Sequence, residues 1–425
     1  MIEIIKFSGQ SAEELFGKRE ELTSNVEQTV KEIIADVRAN GDAALVRYSS
    51  KFDGYCGDSF EVSAEECDAA MKELPDEYVR MLKNSIENIK AFHEKQLRKG
   101  FEIDYGDKIV GQRVMPLESV GIYVPGGTAA YPSTVLMNAI PAKIAGVKNV
   151  IMVTPVKSDG KVKNEILAAA KLCGVDRIFK LGGAQAIAAL AYGTESVPKA
   201  DKITGPGRDY VATAKKLVSG VTCGIDMVAG PSEILVIADE GADDRCVAAD
   251  LLSQAEHDVI ASALMITDSE IMANGVKKEL ERQVKLLERC DIASASLKNN
   301  CKIIITNSIE QAVELSNEYA PEHLELAVKE PLKLLNCVKN AGSVFLGYNT
   351  PEAVGDYYAG ANHTLPTSGT ARFSSPLGVE DFLKTTQYVY YSKGALERAA
   401  DDIIMFANSE GLTAHAKSVA VRVKK

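Results

Sequence analysis

Two segments of closely similar pattern determine the predicted fold: IPAKIAGVKNVIMVTP at residues 140–155 and AAAKLCGVDRIFKLGG at residues 168–183. Each segment reads as a helix, a glycine, a valine, a polar pair and a run of apolar residues. This order is typical of a helix that ends at a glycine and is followed by a buried strand. The two glycines, Gly146 and Gly174, lie 28 positions apart, close to the roughly 30 residues of one βαβ unit. The segments therefore predict successive units of one parallel sheet.

Further β-rich runs of the same kind follow toward the C-terminus, and a single sheet of all these strands would be unusually wide. We therefore predict an α/β protein with two doubly wound, incomplete Rossmann-like parallel-sheet domains. The predicted first domain comprises residues 1–124 and 233–378, the second comprises residues 125–232, and residues 379–425 form a small tail domain. The further strands are predicted at residues 234–239, 263–267, 302–306 and 343–347.

The two ends of the chain differ from this pattern. Residues 1 to 105 are predicted to be mainly helical, because the segment 24–34 places four aliphatic side chains on one stripe. The sequence Asn40-Gly41-Asp42 is expected to end that helix. Another helix is predicted at residues 393–408. A tail of about 45 residues cannot bury a core alone, so we expect it to pack on another domain or subunit.

Composition excludes several classes of protein. The chain has 425 residues, with 48 Lys and Arg against 59 Asp and Glu, so its formal net charge is −11. This dispersed acidic balance argues against binding to nucleic acid or an anionic membrane through bulk charge. We find no apolar run of membrane-spanning length and no signal-peptide pattern, so we expect a cytoplasmic protein. The eight cysteines form no Cys-x-x-Cys pair, and we interpret them as reduced, mostly buried thiols that are not nucleophiles.

The chain has only five histidines, and four of them lie in segments of unusual composition. The fifth, His93, lies in a charged amphipathic helix, and we interpret it as solvated or lightly packed. Gln254 and His257 are three residues apart near the predicted end of a helix, so their side chains lie on one face. That helix is expected to begin near Asp243 or Asp244. The spacing alone favours a polar last turn over a metal site, since a Gln and His pair is an unusual ligand set.

A carboxylic acid and an imidazole adjoin at Glu322 and His323, directly after Pro321. Two groups that titrate differently suit a general base and a general acid that act on one centre. Because adjacent residues on a regular element diverge, this role requires a loop or a first helical turn. The alternative is a helix start with Pro321 at its first position and Glu322 near the helix dipole. The residues alone leave both alternatives open.

Two further segments carry possible ligands. Residues 356–369 are rich in glycine and hydroxyl side chains, contain Asp356 and His363, and are typical of a surface loop that binds a ligand. His415 lies in the tail, five residues after Glu410. Because no His-x-x-x-His pair exists, a metal site would be assembled from distant segments. Two nitrogen and two oxygen ligands for zinc are available from Gln254, His257, Asp356 and His415.

The chain lacks the Gly-x-Gly-x-x-Gly fingerprint of dinucleotide-binding domains. It has glycine turns at Gly126-Gly127, Gly182-Gly183 and Gly205-Pro206-Gly207. The second turn follows a predicted strand and opens a helix, as a phosphate-binding loop does. Each turn is equally compatible with a simple change of chain direction.

Six ordered blocks, spread over nearly the whole chain, resemble those of the histidinol dehydrogenase family. The blocks are GIYVPGG at 121–127, LGGAQA at 181–186, AGPSE at 229–233, SQAEHD at 253–258, PEHLE at 321–325, and TLPT at 364–367 with ARFSSPL at 371–377. The resemblance implies a homodimeric, zinc-dependent enzyme of histidine biosynthesis. It implies oxidation of L-histidinol to L-histidine by two NAD⁺, through bound L-histidinal.

The resemblance also implies a role for each residue that matches a family motif. Glu322 would activate water for the second oxidation, and His323 would act as acid and base. The implied zinc ligands are Gln254, His257, Asp356 and, from the partner subunit, His415. The substrate would contact these ligands, Glu322 and His323, and also Ser232, His363 and Glu410. The residues implied to contact NAD are Tyr123, Gln185 and Arg208.

One position departs from the family pattern, because Arg208 follows Gly205-Pro206-Gly207 where the family usually has Asn. We expect Arg208 to turn outward, pair with Asp209 and leave the NAD preference unchanged. The alternative is a guanidinium that binds a pyrophosphate or a 2′-phosphate and favours NADP.

Two other functions remain as alternatives. A zinc-dependent hydrolase of an amide or ester would use the same zinc, glutamate and histidine. A non-catalytic protein that binds imidazoles or nucleotides is disfavoured by the presence of both Glu322 and His323.

Overall fold

A computed structural model describes residues 2–17, 26–57, 59–126 and 130–423. The chain divides into two compact units. The first unit comprises Met1–Gln96 and Glu118–Phe382, and the second comprises Leu97–Leu117 and Leu383–Lys425. In the described ranges, no helix combines the length and the apolar character needed to cross a bilayer.

The elements alternate along most of the chain. The strands of the described residues are β1 (Glu3–Lys6), β2 (Phe101–Asp104), β3 (Lys108–Pro116), β4 (Ser119–Tyr123), β5 (Asn149–Thr154), β6 (Arg177–Lys180), β7 (Lys202–Thr204), β8 (Gly224–Ile225), β9 (Glu233–Ala238), β10 (Ser262–Thr267), β11 (Cys301–Ile305), β12 (His323–Ala327), β13 (Ser343–Leu346) and β14 (Leu383–Tyr391). The helices are α1 (Ala12–Phe16), α2 (Glu27–Tyr48), α3 (Ala64–Glu73), α4 (Asp76–His93), α5 (Pro132–Ala145), α6 (Asn164–Cys173), α7 (Gly183–Tyr192), α8 (Asp209–Val218), α9 (Asp244–Ala255), α10 (Glu270–Gln283), α11 (Cys290–Asn300), α12 (Ile309–Tyr319), α13 (Pro331–Leu335), α14 (Glu352–Val354), α15 (Lys393–Ser409) and α16 (Thr413–Val423).

The larger sheet of the first unit has, among the described residues, six parallel strands in the order β1-β11-β10-β9-β12-β13. Its inner strands are almost continuously apolar because helices cover both faces, and every residue of β9 is buried. β9 lies between β10 and β12, with Ile234 in register with His323. This register brings the amino end of β12 beside the amino end of β9.

The second sheet of the same unit has, in the described part of the chain, five parallel strands in the order β6-β5-β4-β7-β8. The two segments that predicted it behave as expected: α5 ends at Gly146 with φ 90° and α6 ends at Gly174 with φ 72°. A residue with a Cβ is strained at such positive φ. The predicted α/β architecture with two parallel sheets is confirmed.

The second unit contains, within the described residues, an antiparallel sheet in the order β14-β3-β2 and the helices α15 and α16. The predicted helix at residues 393–408 is confirmed, because α15 occupies Lys393–Ser409. The sequence pattern did not indicate β14, whose side chains are mostly exposed.

The N-terminal region departs from expectation in two ways. It contains β1 and β2 as well as helices. His93 is not solvated, because it is 0% exposed and its Nδ1 lies 2.8 Å from the Ile89 carbonyl oxygen. As the sequence Asn40-Gly41-Asp42 predicts, the helix α2 is interrupted at Gly41, whose backbone angles are not helical, and a second helical stretch follows to Tyr48. The predicted start of α2 at Ser24 and Asn25 lies outside the described residues.

All eight cysteines are free thiols. The expectation that they are mostly buried is wrong for three exposed residues, Cys56, Cys246 and Cys337. The buried ones are Cys173, Cys223 and Cys301.

Candidate active site

Glu322 and His323 lie at the amino end of β12, where both are buried. Glu322 Oε2 accepts a hydrogen bond from the backbone N–H of Glu233 at 2.9 Å, and His323 Nδ1 lies 3.0 Å from the Glu233 carbonyl oxygen. The helix-start alternative is wrong, since Glu322 lies in a bend and His323 begins a strand. Consecutive side chains diverge on a regular strand. Here the bend allows Glu322 Oε2 to lie 3.6 Å from His323 Nδ1.

Burial and neighbouring charges shift the pKa of both groups. Burial raises the pKa of the Glu322 carboxyl to about 8, against the opposing effect of His323. Burial also lowers the pKa of the His323 imidazole, but the carboxylates around it outweigh this effect and raise the pKa to about 10. The carboxylates that do so belong to Glu352, Glu322 and Asp356. The pair therefore combines a carboxyl that holds its proton near neutral pH with an imidazole stabilised as a cation.

The other ring nitrogen of His323 faces two carboxylates. Its Nε2 lies 3.6 Å from Glu352 Oε1 and 3.8 Å from Asp356 Oδ1. Ligand atoms of the three residues lie within 4.8 Å of one another, close enough to hold a metal ion. Among the described residues, His323 Nε2 and Glu352 Oε2 are buried without a hydrogen-bond partner. Buried polar atoms of this kind indicate a place where a ligand binds.

Of the four predicted zinc ligands, Asp356 belongs to this cluster, Gln254 contacts it, and His257 interacts electrostatically with its Asp356 and His323. Gln254, in the last turn of α9, is 1% exposed, and its Nε2 donates to Glu352 Oε1 at 2.5 Å and lies 3.1 Å from His323 Nδ1. Burial lowers the pKa of His257, while the Asp356 carboxylate opposes this shift. A neutral imidazole is the form that binds zinc. The nitrogen and oxygen donors of Gln254, His257 and Asp356 thus fit a zinc ion chemically.

The fourth predicted ligand, His415, belongs to the second unit, where it is exposed on α16. Glu410, a predicted substrate contact, directly follows α15 in the same unit and is also exposed. The predicted helix start before Gln254 is confirmed, because the Asp243 side chain caps α9 by accepting a hydrogen bond from the Arg245 N–H.

Glu352 contacts both Gln254 and His323, and it is not among the site residues predicted from the sequence. A signal for it exists: Pro351 precedes it, and Asp356 follows four positions later, the spacing of one helical turn. α14 and the turn after it place both carboxylates beside His323. The metal cluster defined by ligand distances therefore shares only Asp356 with the predicted zinc set.

Two predicted substrate contacts lie in the first unit. His363 Nδ1 lies 3.1 Å from the Asp356 carbonyl oxygen, and burial lowers the pKa of its imidazole. Ser232 directly precedes β9, and its carbonyl oxygen accepts a hydrogen bond from the Ser262 N–H. Two residues earlier, the Gly230 N–H donates to Thr367 Oγ1 at 2.6 Å. This bond joins the predicted AGPSE and TLPT blocks.

A cavity of about 1000 Å³ opens at the carboxyl ends of β4, β5 and β6. Its lining includes Tyr123, Gly126 and Gly183, three residues of the predicted cofactor motifs, and also Asp53. Tyr123 Oη accepts a hydrogen bond from the Gly183 N–H at 3.2 Å, and burial raises the Tyr123 pKa to about 12. Gln185 is buried in the first turn of α7. The predicted turn at Gly127 lies outside the described residues.

Arg208 does not pair with Asp209 as expected. It precedes α8, and its guanidinium lies 3.5 Å from Asp258 Oδ2, with 87% of the side chain exposed. Asp258 directly follows His257. The expectation that Arg208 turns outward agrees with this exposure. The residue that pairs with it, Asp258, lies between α9 and β10, in the part of the chain that forms the larger sheet.

Comparison with known proteins gives a consistent result. The family model described as histidinol dehydrogenase matches residues 17–423. The histidinol dehydrogenase of Lactococcus lactis is 50% identical over 99% of both chains, and that of Clostridium acetobutylicum is 52% identical over 98% of this chain and 96% of that one. The crystal structure of histidinol dehydrogenase from Elizabethkingia anophelis has a TM-score of 0.94 and 38% identity, and covers 99% of this chain and 98% of that one.

These matches confirm the resemblance that the six sequence blocks predicted. They also exclude the two alternatives, an amide or ester hydrolase and a non-catalytic binding protein, as the main function. The chain belongs to the histidinol dehydrogenase family, and it is an oxidoreductase of histidine biosynthesis with histidinol dehydrogenase activity.

Proposed function

We propose that the enzyme oxidises L-histidinol to L-histidine in two steps, through L-histidinal that stays bound, with one NAD⁺ consumed in each step. The observation that carries this proposal is the pair of titratable groups, Glu322 and His323, held by the backbone of one residue, Glu233. His323 suits the oxidation of the alcohol, and Glu322 suits the hydration of the aldehyde.

The donor set also supports zinc and NAD as cofactors. Zinc would be held by Gln254, His257, Asp356 and the His415 of a second subunit, and NAD would occupy the cavity beside Tyr123 and Gln185. Arg208 would lie near the cofactor without entering the cavity lining. When bound, zinc fixes the imidazole and amine of histidinol, and NAD accepts a hydride in each oxidation.

In the first oxidation, His323 acts in its neutral form, after it has released the proton that the neighbouring carboxylates favour, and takes the proton that leaves the hydroxyl of histidinol while the carbon loses a hydride. Its Nδ1 faces the Glu233 carbonyl oxygen, so this nitrogen carries a proton and Nε2 is the atom that exchanges one. His363, Ser232 and Glu410 are proposed to hold the substrate in the orientation that this transfer requires.

In the second oxidation, Glu322 accepts a proton from a water molecule while the oxygen of that water attacks the carbonyl carbon of histidinal. The anion of the hydrate formed in this way then loses a hydride to give the carboxylic acid of histidine, which releases a second proton to become the carboxylate. Burial of Glu322 makes its carboxylate more basic than an exposed one, which favours this proton transfer.

A homodimer with shared sites is proposed for the assembly. The second unit exposes large apolar side chains on α15, β14 and β2, the most exposed being Met405, Phe406 and Val389. Exposed apolar surface of this kind is typical of an interface with another chain. In such a dimer, the exposed side chains of His415 and Glu410 would be available to the active site of the other subunit.

The predicted domain boundaries are retained as a proposal. The strands β4 to β8 fall between residues 119 and 225, and the strands of the larger sheet fall on either side of them. This distribution supports a domain at residues 125–232 and another at residues 1–124 and 233–378, with residues 379–425 as the tail, except that β4 of the smaller sheet lies before residue 125 and that residues 97–117 belong to the same compact unit as most of the tail.

An assay of product stoichiometry tests the two-step reaction. The purified enzyme should form two NADH for each histidine and release little histidinal, and removal of metal by a chelator should abolish turnover. A ratio of one NADH per product, or histidinal as the final product, would contradict the two-step proposal. Turnover that survives complete metal removal would contradict the role of zinc.

A further inference from the structure

A buried ion pair lies in the domain of the smaller sheet, and neither of its residues belongs to the proposed active site. Lys215, on α8, and Asp226, directly after β8, form an ion pair in which each side chain is 1% exposed. Burial of two opposite charges costs several kcal/mol per ion unless their hydrogen bonds are satisfied, and an apolar pair of similar volume often stabilises a fold as well. The pair therefore points to a role in fixing local geometry.

The two side chains hold Gly205 from both sides. Lys215 Nζ donates to the Gly205 carbonyl oxygen at 2.8 Å, and the Gly205 N–H donates to Asp226 Oδ2 at 2.8 Å. Asp226 Oδ1 also accepts a hydrogen bond from the Met227 N–H at 2.6 Å. Both peptide groups of Gly205 are thus bound to charged atoms, which form stronger hydrogen bonds than neutral ones.

The turn that begins at Gly205 is closely packed. Gly205 has φ 106°, and a Cβ added to it would lie 2.2 Å from the Tyr123 carbonyl oxygen. A Cβ on Gly207 would lie 2.2 Å from Val211 Cγ1. Since Tyr123 lines the cavity proposed for NAD, the position of this turn is tied to one wall of that cavity.

The same turn also lies close to the proposed zinc site. Arg208, the residue after Gly207, lies 3.5 Å from Asp258, which adjoins the proposed zinc ligand His257. The turn therefore lies between the wall of the NAD cavity and the segment that would hold the substrate. Hydride transfer requires the reactive ring of NAD to lie between these two regions.

We infer that Lys215 and Asp226 are positioning residues that fix the Gly205–Arg208 turn in the conformation that receives the reactive end of NAD. This inference rests on the proposed use of NAD. Neither side chain needs to touch the cofactor, because both act through the backbone of Gly205.

The variant Lys215→Met tests this role, because methionine is about as long as lysine but cannot bind the Gly205 carbonyl oxygen. We expect the KM for NAD to rise at least tenfold, while the KM for histidinol and the zinc content change less than twofold. A displacement of about 1 Å in a binding element can cause losses of this size or larger. A folded Lys215→Met enzyme with the parent's KM for NAD would overturn the inference.

Lys143→Met is the matched control. Lys143 pairs with Asp176 at 2.6 Å at the opposite end of the same sheet, where Asp176 accepts a hydrogen bond from the Val150 N–H at 2.7 Å. Loss of this pair should lower the melting temperature and leave the KM for NAD within twofold of the parent. An equal rise of the KM for NAD in both variants would mean that loss of stability alone explains the effect.

The double variant Lys215→Met with Asp226→Leu separates positioning from folding. It removes both buried charges, so we expect it to fold even if Lys215→Met does not. It should regain the parent's melting temperature and keep the raised KM for NAD. Recovery of both properties would show that the pair only stabilises the fold.

NADH binding without histidinol, followed by fluorescence titration, provides a readout independent of turnover. The parent should bind NADH, and both Lys215 variants should bind it at least tenfold more weakly. A parent that neither binds NADH nor reduces NAD contradicts the proposed function. A parent that does both, with variants that bind NADH equally well, contradicts only the role of the ion pair.

Discussion

Glu322 is nearly enclosed by protein, and its only strong donor among the described contacts is a backbone N–H from Glu233. Burial destabilises its charged form, so the carboxyl binds a proton more tightly than an exposed glutamic acid. The same shift makes the carboxylate a better base for water.

Glu322→Gln should therefore impair the oxidation of histidinal far more than the oxidation of histidinol. The amide keeps the size of the side chain but cannot accept the proton of water, so a loss of roughly 10²- to 10⁴-fold is expected in the second step. Single-turnover measurements that start from histidinol and from histidinal compare the two steps, and the first step serves as the control. Equal losses in both steps would assign Glu322 to substrate binding instead.

The pH dependence of the second step should report the same carboxyl. Because the raised pKa of Glu322 is about 8, the fraction of active carboxylate increases as the pH rises through this value. The rate of histidinal oxidation should rise about tenfold per pH unit below the pKa and level off above it. A rate profile measured from pH 6 to 10 checks this, and the dependence should disappear in Glu322→Gln.

Arg208→Asn should have a small effect. The Arg208 side chain is 87% exposed and lies 3.5 Å from Asp258, and exposed pairs of this kind contribute about 0–1 kcal/mol. We expect the KM for NAD to change less than about tenfold and NAD to remain preferred over NADP. Steady-state kinetics with both cofactors on parent and variant measure this. An NADP preference in the parent would show that the guanidinium binds a phosphate.

At the scale of elements, the kink in α2 shows how one glycine interrupts a helix where the sequence predicts that it ends. Gly41 has φ 49° and ψ −131°, a conformation that only glycine adopts easily. A Cβ there would lie 2.3 Å from Glu195 Oε2, which accepts a hydrogen bond from the Asp42 N–H. Gly41 thus changes the direction of α2 where it meets the smaller sheet's domain.

Gly41→Ala should destabilise the protein by about 1–3 kcal/mol, since alanine is strained in this conformation. Urea unfolding compared with the parent measures the change. Gly394→Ala is the control: Gly394 lies in the first turn of α15 with a negative φ and room for a methyl group. That change should leave stability unchanged or raise it by up to about 1 kcal/mol.

The sequence predicts elements well where the signal is local. The helix, glycine and strand units around Gly146 and Gly174 could be identified because a C-cap and an apolar run suffice to define them. β1 could not, because its four residues become a strand only by pairing with β11, almost 300 positions later. β14 is long but mostly exposed, so no apolar alternation marks it.

The candidate site was predictable in chemistry but not in arrangement. The residues Glu322, His323 and Gln254 carry functional groups that can be identified from motifs. Glu352 was missed because a single glutamate after a proline resembles any helix start. The role of Glu233 depends on its backbone, which no side-chain pattern can reveal.

At the scale of the whole molecule, the two parallel sheets contribute opposite strand ends to the proposed active site. The larger sheet presents the amino ends of β9 and β12, where Glu322 and His323 lie, whereas the smaller sheet presents the carboxyl ends of β4 to β6 around the cavity. Ligands of open α/β sheets usually bind at carboxyl ends. Only the smaller sheet follows this rule.

Subunit mixing tests the proposed shared site. His257→Ala and His415→Ala should each be inactive, but a mixed dimer regains one site that contains every ligand. Random mixing makes half of the dimers mixed, each with one complete site, so about a quarter of the parent activity should return. Mass spectrometry verifies that heterodimers have formed. If these heterodimers recover no turnover, each active site is formed within one subunit.

The two contacts of Glu233 with the proposed acid and base have a consequence for which substitutions this site can tolerate. Its N–H holds Glu322 and its carbonyl oxygen faces His323, and every amino acid except proline carries both groups. Replacement of Glu233 by any residue other than proline therefore leaves both groups in place, whereas proline would remove the N–H that binds Glu322. The alignment of Glu322 and His323 thus depends on the backbone at the start of β9 and not on the side chain at position 233.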